Sequence, residues 1–148
     1  CAVDKENNVY IAYPYLSYEI TKYSPEVKEL LKLTKDSDMV LVSEADKEYL
    51  LEIYDQYDSV NMPKYKPFIK SLSTDEKNQN LWIATYKFEN EGKIHFQIAS
   101  QDGVFLGEVL IPDKNPRSVR KVCIKQNKLY ILFYSVVEGA KLIKYEII

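Results

Sequence analysis

One short pattern occurs three times in this chain and limits what it can fold into. Val9-Tyr10-Ile11, Leu81-Trp82-Ile83 and Leu129-Tyr130-Ile131 share the form apolar–aromatic–Ile. Each follows a polar turn that carries asparagine: Lys5-Glu-Asn-Asn8, Lys77-Asn-Gln-Asn80 and Lys125-Gln-Asn-Lys128. Each precedes a second extended segment with its own aromatic residue, Tyr23, Phe96 or Tyr145. The most complete copy surrounds Trp82. There, four extended stretches up to Val104–Ile111 are separated by turns, among them Glu91-Gly92 and Asp102-Gly103, and Asp-Gly is a strong hairpin signal. The first and second copies lie 72 residues apart and the second and third 48. Setting aside an insertion of about 30 residues brings the first spacing to about 42, and a period of about 40–45 with four strands per unit is a repeat architecture of β-blades. A twisted four-stranded sheet cannot bury both faces by itself, and stacking such sheets around an axis covers them.

Taken in order, Ala2-Val3, Val9–Tyr13, Tyr18–Tyr23 and Val27–Leu33 read as four strands of a first blade over residues 1–34. Pro14 ends the second strand because proline donates nothing to a ladder, and Ser24-Pro25-Glu26 forms a turn. Residues 36–65 interrupt the repeat. Met39–Val42 reads as one short strand. Ser43 is placed as a helix N-cap with Asp46 completing a capping pair, and Tyr49, Leu50, Ile53, Tyr54 and Tyr57 recur at helical spacing over 44–57. Acidic residues at its start suit the helix dipole. Met62–Pro67 is a Pro-flanked extended connector, a second blade follows over 68–111, and 112–118 forms a loop. Strands over 119–124, 129–137 and 141–148 make a third, incomplete blade. The expected fold class is therefore all-β: about three four-stranded antiparallel blades in one partial domain, with a helical insertion.

Composition agrees. Thirteen Tyr, five Phe and one Trp favour β-structure, while four Gly leave the turns to Asn, Asp, Pro and Lys. A net charge of −2 disfavours nucleic acid as a partner. The sequence contains no apolar run long enough for a transmembrane helix. Cys1 and Cys123 are too few for a disulfide framework. Cys1 reads either as the lipid-bearing first residue of a processed bacterial lipoprotein or as the place where the given chain begins. The second reading is favoured, because a strand-like Ala2-Val3 follows at once where an anchor needs a spacer.

The pattern resembles the C-terminal half of six-bladed β-propeller proteins of the NHL/TolB-like group. The resemblance is carried by Val9-Tyr-Ile-Ala12 after its turn, Tyr18-Glu-Ile-Thr-Lys-Tyr-Ser-Pro25, the helical insertion, Tyr65-Lys-Pro-Phe-Ile69, Asp75 to Ile83, Gln101-Asp-Gly103 and Lys141-Leu-Ile-Lys-Tyr-Glu-Ile147. It covers nearly the whole chain and departs at Asp75–Asn80, which lacks the glycine usual in that turn. It implies a fold, and also a bacterial extracytoplasmic location, periplasmic or lipid-anchored at the surface. It does not imply an activity. Three blades cannot close a ring, so the implied partners include the second half of a propeller or a second copy of the chain.

No catalytic constellation stands out, and no cofactor is implied. His95 is the sole histidine and reads as a partly exposed strand residue, since neither a second His nor a nearby Cys offers a zinc site. The pairs Asp36/Asp38, Asp55/Asp58 and Glu89/Glu91 could serve calcium or glycosidic acid–base work, but turn positions make them solvated charge. Arg117, Arg120, Lys121, Lys125 and Lys128 read as a solvated basic face. Tyr13, Tyr15 and Tyr18, with Tyr65 and Lys66, form the candidate ligand-binding set, an aromatic platform for a protein, peptide or saccharide. Trp82 is expected to pack between blades. The favoured function is a non-enzymatic scaffold or binding module. The alternative is a propeller-type hydrolase or lactonase with a central metal whose other ligands lie elsewhere.

Overall fold

In the computed structural model, which describes residues 1–13, 17–53, 62–75, 77–113, 119–135 and 139–147, every one of the three repeats becomes an antiparallel meander. The first sheet joins β1 (Ala2–Val3), β2 (Val9–Ala12), β3 (Glu19–Tyr23) and β4 (Glu29–Thr34) in chain order. The helix α1 (Glu44–Ile53) follows. The second sheet joins β5 (Ser71–Thr74), β6 (Leu81–Thr85), β7 (Lys93–Ala99) and β8 (Phe105–Pro112), with a single 3₁₀ turn at Glu89–Glu91 before β7. The third sheet joins β9 (Val119–Lys125), β10 (Lys128–Ser135) and β11 (Gly139–Glu146). Residues 54–57 of the expected helix, Tyr15, Asp55/Asp58, Arg117 and most of the expected 112–118 loop lie outside the described residues.

The three sheets stack face to face. All five residues of β6 are buried, which requires cover on both faces of the second sheet. On one face Leu72, Leu81, Ile83 and Ala99 join Ala2, Tyr10, Tyr18, Ile20 and Leu33 of the first sheet in one apolar cluster. On the other, Trp82, Ala84, Ile94, Phe96 and Ile111 join Val122, Ile124, Leu129, Ile131 and Phe133 of the third. Period-2 alternation makes this possible, because neighbours along one strand serve opposite interfaces. Trp82 is 6% exposed and meets Phe96 edge to face at 5.8 Å between centroids, the packing role expected of it.

The turns between the first and second strands of the three sheets contain no glycine. Asp4 accepts the amides of Glu6 (3.0 Å) and Asn8 (2.9 Å) on Oδ1 and the Asn8 side-chain amide on Oδ2 (3.0 Å). Asp75 repeats the device, accepting the Lys77 amide on Oδ1 (2.9 Å) and the Asn78 side-chain amide on Oδ2 (2.8 Å). The carboxylate satisfies the turn amides, so Asn7 and Gln79 are held at φ 63° and 59°. The third turn has no such aspartate. Gln126 and Asn127 form a two-residue link with both φ values positive, 51° and 59°, the twist that suits a tight hairpin. In the first sheet Lys22 is buried beside Asp4 (3.3 Å) and under the Tyr10 ring (5.3 Å). Burial raises the Asp4 carboxyl, but the Asn8 hydrogen bonds and the Lys22 ammonium outweigh it, so its pKa lies below the ordinary value.

The expected fourth strand starts two residues late, at Glu29, because Val27 is used in the turn. Its amide donates to Ser24 O (2.9 Å) and its φ is 64°. A β-branched side chain in the left-handed region costs about 1–2 kcal/mol, and Val27 recovers nothing by burial, being 79% exposed. Replacing Val27 with Asn is therefore expected to stabilise the fold by about 1 kcal/mol. Urea unfolding would measure this, and a midpoint unchanged or lowered would contradict the strain.

Candidate functional site

The first strands of the three sheets run side by side. Thr74 Oγ1 donates to the carbonyl of Val3 at 2.6 Å, which ties β5 to β1. Asp75 and Ile124 form a parallel bridge, which ties the end of β5 to β9. These inner edges line a cavity of about 540 Å³ with Asp4, Lys5, Thr74, Asp75, Gln79 and Lys121 among its walls. Cys1 and Cys123 also face it, and both are free and exposed. The volume suits a small ligand or the side chains of a larger one. The walls offer hydroxyl, amide, carboxylate and ammonium groups, a chemistry for polar recognition. Among the described residues no three His, Cys, Asp or Glu side chains converge as a metal site would require, and no helix is long and apolar enough to cross a membrane.

The tyrosine and lysine positions singled out from sequence are distributed over the fold. Tyr18 is buried between the first and second sheets, where its hydroxyl donates to Gln97 Oε1 at 2.5 Å and its ring meets Phe105 edge to face. Burial pushes its phenol pKa far upward. Tyr13 projects from the opposite face of the first sheet and is exposed. Tyr65 pairs with Leu41 in an isolated bridge and lies under the Lys64 ammonium at 5.3 Å. Tyr15 lies outside the described residues.

Lys66 is buried, and its role is structural in geometry. Its ammonium binds Asp46 Oδ1 at 2.9 Å and Glu89 Oε2 at 2.6 Å, while Lys70 binds Glu89 Oε1 at 2.6 Å. The Tyr86 ring lies 5.6 Å from Lys66 Nζ and 5.0 Å from Lys70 Nζ. Asp46 also completes the capping pair read from the sequence: its Oδ2 accepts the Ser43 amide (2.8 Å) and hydroxyl (2.6 Å), and its own amide donates to Ser43 Oγ. One carboxylate thus both starts the helix and fastens it to the second sheet. Glu89, expected as solvated charge beside Glu91, is buried because the 3₁₀ turn aims it at the two lysines; Glu91 stays exposed and pairs with Lys93. Glu89→Gln would leave both ammonium groups short of their shared carboxylate, and breaking such a buried set costs about 3–5 kcal/mol. Glu91→Gln should change stability by less than about 0.5 kcal/mol. Equal effects in thermal unfolding would contradict the distinction.

His95 departs from the expectation of partial exposure. It is 0% exposed, because its face of β7 lies toward the first sheet and Phe88 covers the ring edge at 5.2 Å. Its Nδ1 lies 2.6 Å from Thr85 Oγ1, and that oxygen already accepts the Lys87 amide. Thr85 Oγ1 and His95 Nδ1 share one hydrogen bond, with the donor set by the ring tautomer. Nε2 lies 3.3 Å from Glu108 Oε2 and makes no hydrogen bond among the described residues. Glu108 in turn accepts the Gln97 amide at 2.9 Å. The result is a line of polar groups, Tyr18–Gln97–Glu108 and His95–Thr85, that runs from the interface between the first two sheets out to Glu108, whose side chain is 43% exposed. Sequence alternation alone could not place it, since Gln97 and His95 share a face with Ile83 only once the register is known.

Burial holds the His95 pKa below 6.5, with Glu108 opposing the shift in part. Glu108 is held down at about 2, from 4.5, chiefly by Gln97. For both groups the folded pKa lies below the unfolded one, so the folded state binds fewer protons at intermediate pH and stability rises with pH. The His95 contribution is complete above pH 6.5 and is lost as pH falls from 6.5 toward the folded value. The Glu108 contribution is lost between pH 4.5 and about 2. Denaturant midpoints measured from pH 7.5 to 5.5 should fall, and His95→Gln should flatten that slope. A slope of equal size in the variant would contradict the assignment.

A scan against protein-family models finds no match for this chain, and a search of curated proteins finds none.

Proposed function

We propose that this chain is a non-catalytic β-propeller scaffold that binds a peptide or saccharide in the cleft between its inner strands. The observation that carries the reading is the stack of three meander sheets whose first strands run side by side along one cavity. That is the relation that successive blades bear to a common axis. The resemblance to six-bladed proteins of the NHL/TolB-like group supports the same reading and adds a bacterial extracytoplasmic location. The non-catalytic part is supported by the fate of the sole histidine, which is fully buried and already engaged by Thr85. The cleft, by contrast, presents polar groups that recognise rather than activate.

The test is an array of peptides and oligosaccharides probed with the labelled protein. A binder whose dissociation constant rises at least about tenfold with Lys5→Glu, at an exposed wall of the cleft, is the expected result, a loss of about 1.4 kcal/mol. Binders indifferent to that change would move the site elsewhere and end the cleft reading. Stoichiometric calcium in the purified protein together with lactone hydrolysis would instead establish the metal-centred hydrolase.

A further inference from the structure

The two interfaces between sheets follow one rule. One sheet offers the aromatic residue of its second strand, Tyr10 or Trp82. The next sheet answers with the two aliphatic residues that flank the aromatic position in its own second strand, Leu81 and Ile83 or Leu129 and Ile131. The outer faces of the stack carry the two unmatched halves of this pattern. The third sheet turns Tyr130 outward, beside Leu132 and Leu142, and Leu142 is 64% exposed. The first sheet turns Val9 and Ile11 outward, beside Val3 and Tyr13, and neither Val9 nor Ile11 joins an apolar cluster.

We infer that these two faces are docking surfaces for each other and that the occupant of each is a second copy of this chain, with the Tyr130 face of one copy set against the Val9/Ile11 face of the next. Three observations favour a second copy. The pairing continues the pattern of the two interfaces already inside the chain. The charges fit in sum: Lys128 and Lys144 flank Tyr130 on the third sheet, with Glu146 paired to Lys144 at 3.4 Å, while Glu19 and Glu29 edge the face of the first, with Lys32 paired to Glu19 at 3.1 Å. Large apolar side chains gathered on both outer faces mark interaction surfaces. The faces given and received differ, so the contact is heterologous and must either close a ring or propagate. Two copies joined at both ends close a ring of paired three-sheet stacks. The inference rests on reading the sheets as successive blades and is independent of what binds in the cleft.

The experiment is light scattering on the 148-residue chain at roughly 100 μM, above the micromolar dissociation constants of moderate interfaces. A closed pair has twice the 17.3 kDa of one chain. Val9→Lys and Tyr130→Lys, each alone, should give monomer. Their equimolar mixture should restore a two-chain species, because the first variant keeps a sound Tyr130 face and the second a sound Val9/Ile11 face. A monomeric parent chain overturns the inference. So does a pair that resists Val9→Lys but not Tyr130→Lys, which would mean like faces meeting. So does a mixture that stays monomeric while both variants melt as the parent does. Where either lysine perturbs folding, Val3→Glu and Leu142→Glu, at exposed positions of the same faces, carry the same test. Pairing lost by these variants while cleft binding persists would separate failure of this inference from failure of the proposed function.

Discussion

The structure depends on covering the second sheet on both sides. A four-stranded antiparallel sheet usually leaves one face to water. Here β6 has no solvent face: Leu81 and Ile83 belong to one interface and Trp82 and Ala84 to the other. Removing either outer sheet would expose a continuous apolar surface, so the chain behaves as a stack whose middle layer cannot exist alone. That is why the same three-residue pattern recurs, and why the aromatic member alternates in direction with its aliphatic neighbours.

Polar groups enter this stack mainly in two engaged sets, while Ser71 Oγ, Trp82 Nε1 and His95 Nε2 are buried without a hydrogen-bond partner among the described residues. Lys66, Asp46, Glu89 and Lys70 form one set and fasten the inserted helix to the second sheet. The line of groups from Tyr18 to Thr85 forms the other, running out from the interface between the first and second sheets. Each removes charged or hydrogen-bonding groups from water, so each costs desolvation and restores it through short, directed contacts. Replacing a buried charged set by apolar groups of the same volume is often neutral or stabilising, whereas removing one partner from it destabilises.

Much of the fold was legible in the residues themselves. Strand alternation, the Asp-Gly hairpin, the Ser43–Asp46 cap and the triple recurrence around Tyr10, Trp82 and Tyr130 all express local chemistry, and local chemistry is what a sequence displays directly. The polar interior was not legible. Lys66, Glu89 and His95 are of types that usually meet solvent, and only tertiary placement takes them inside. Glu89 is aimed inward by a 3₁₀ turn whose left-handed entry at Phe88 no pattern announces. Three tyrosines of the candidate platform, Tyr13, Tyr15 and Tyr18, are near each other in sequence, but Tyr13 and Tyr18 fall on opposite faces of the first sheet, since parity along the strands decides the face.

Lys22 shows what one such interior charge does to the choice of structure. It sits opposite Tyr10 in the strand pairing and reaches the carboxylate of Asp4, which is itself committed to its turn. If β3 slipped by one residue against β2, Lys22 would swing to the outer face and Tyr23 would enter the interface in its place. The ammonium would then leave Asp4 with a buried negative charge and no counterion. The first sheet therefore carries its own test of alignment: any odd slip of β3 against β2 leaves Asp4 buried without its counterion.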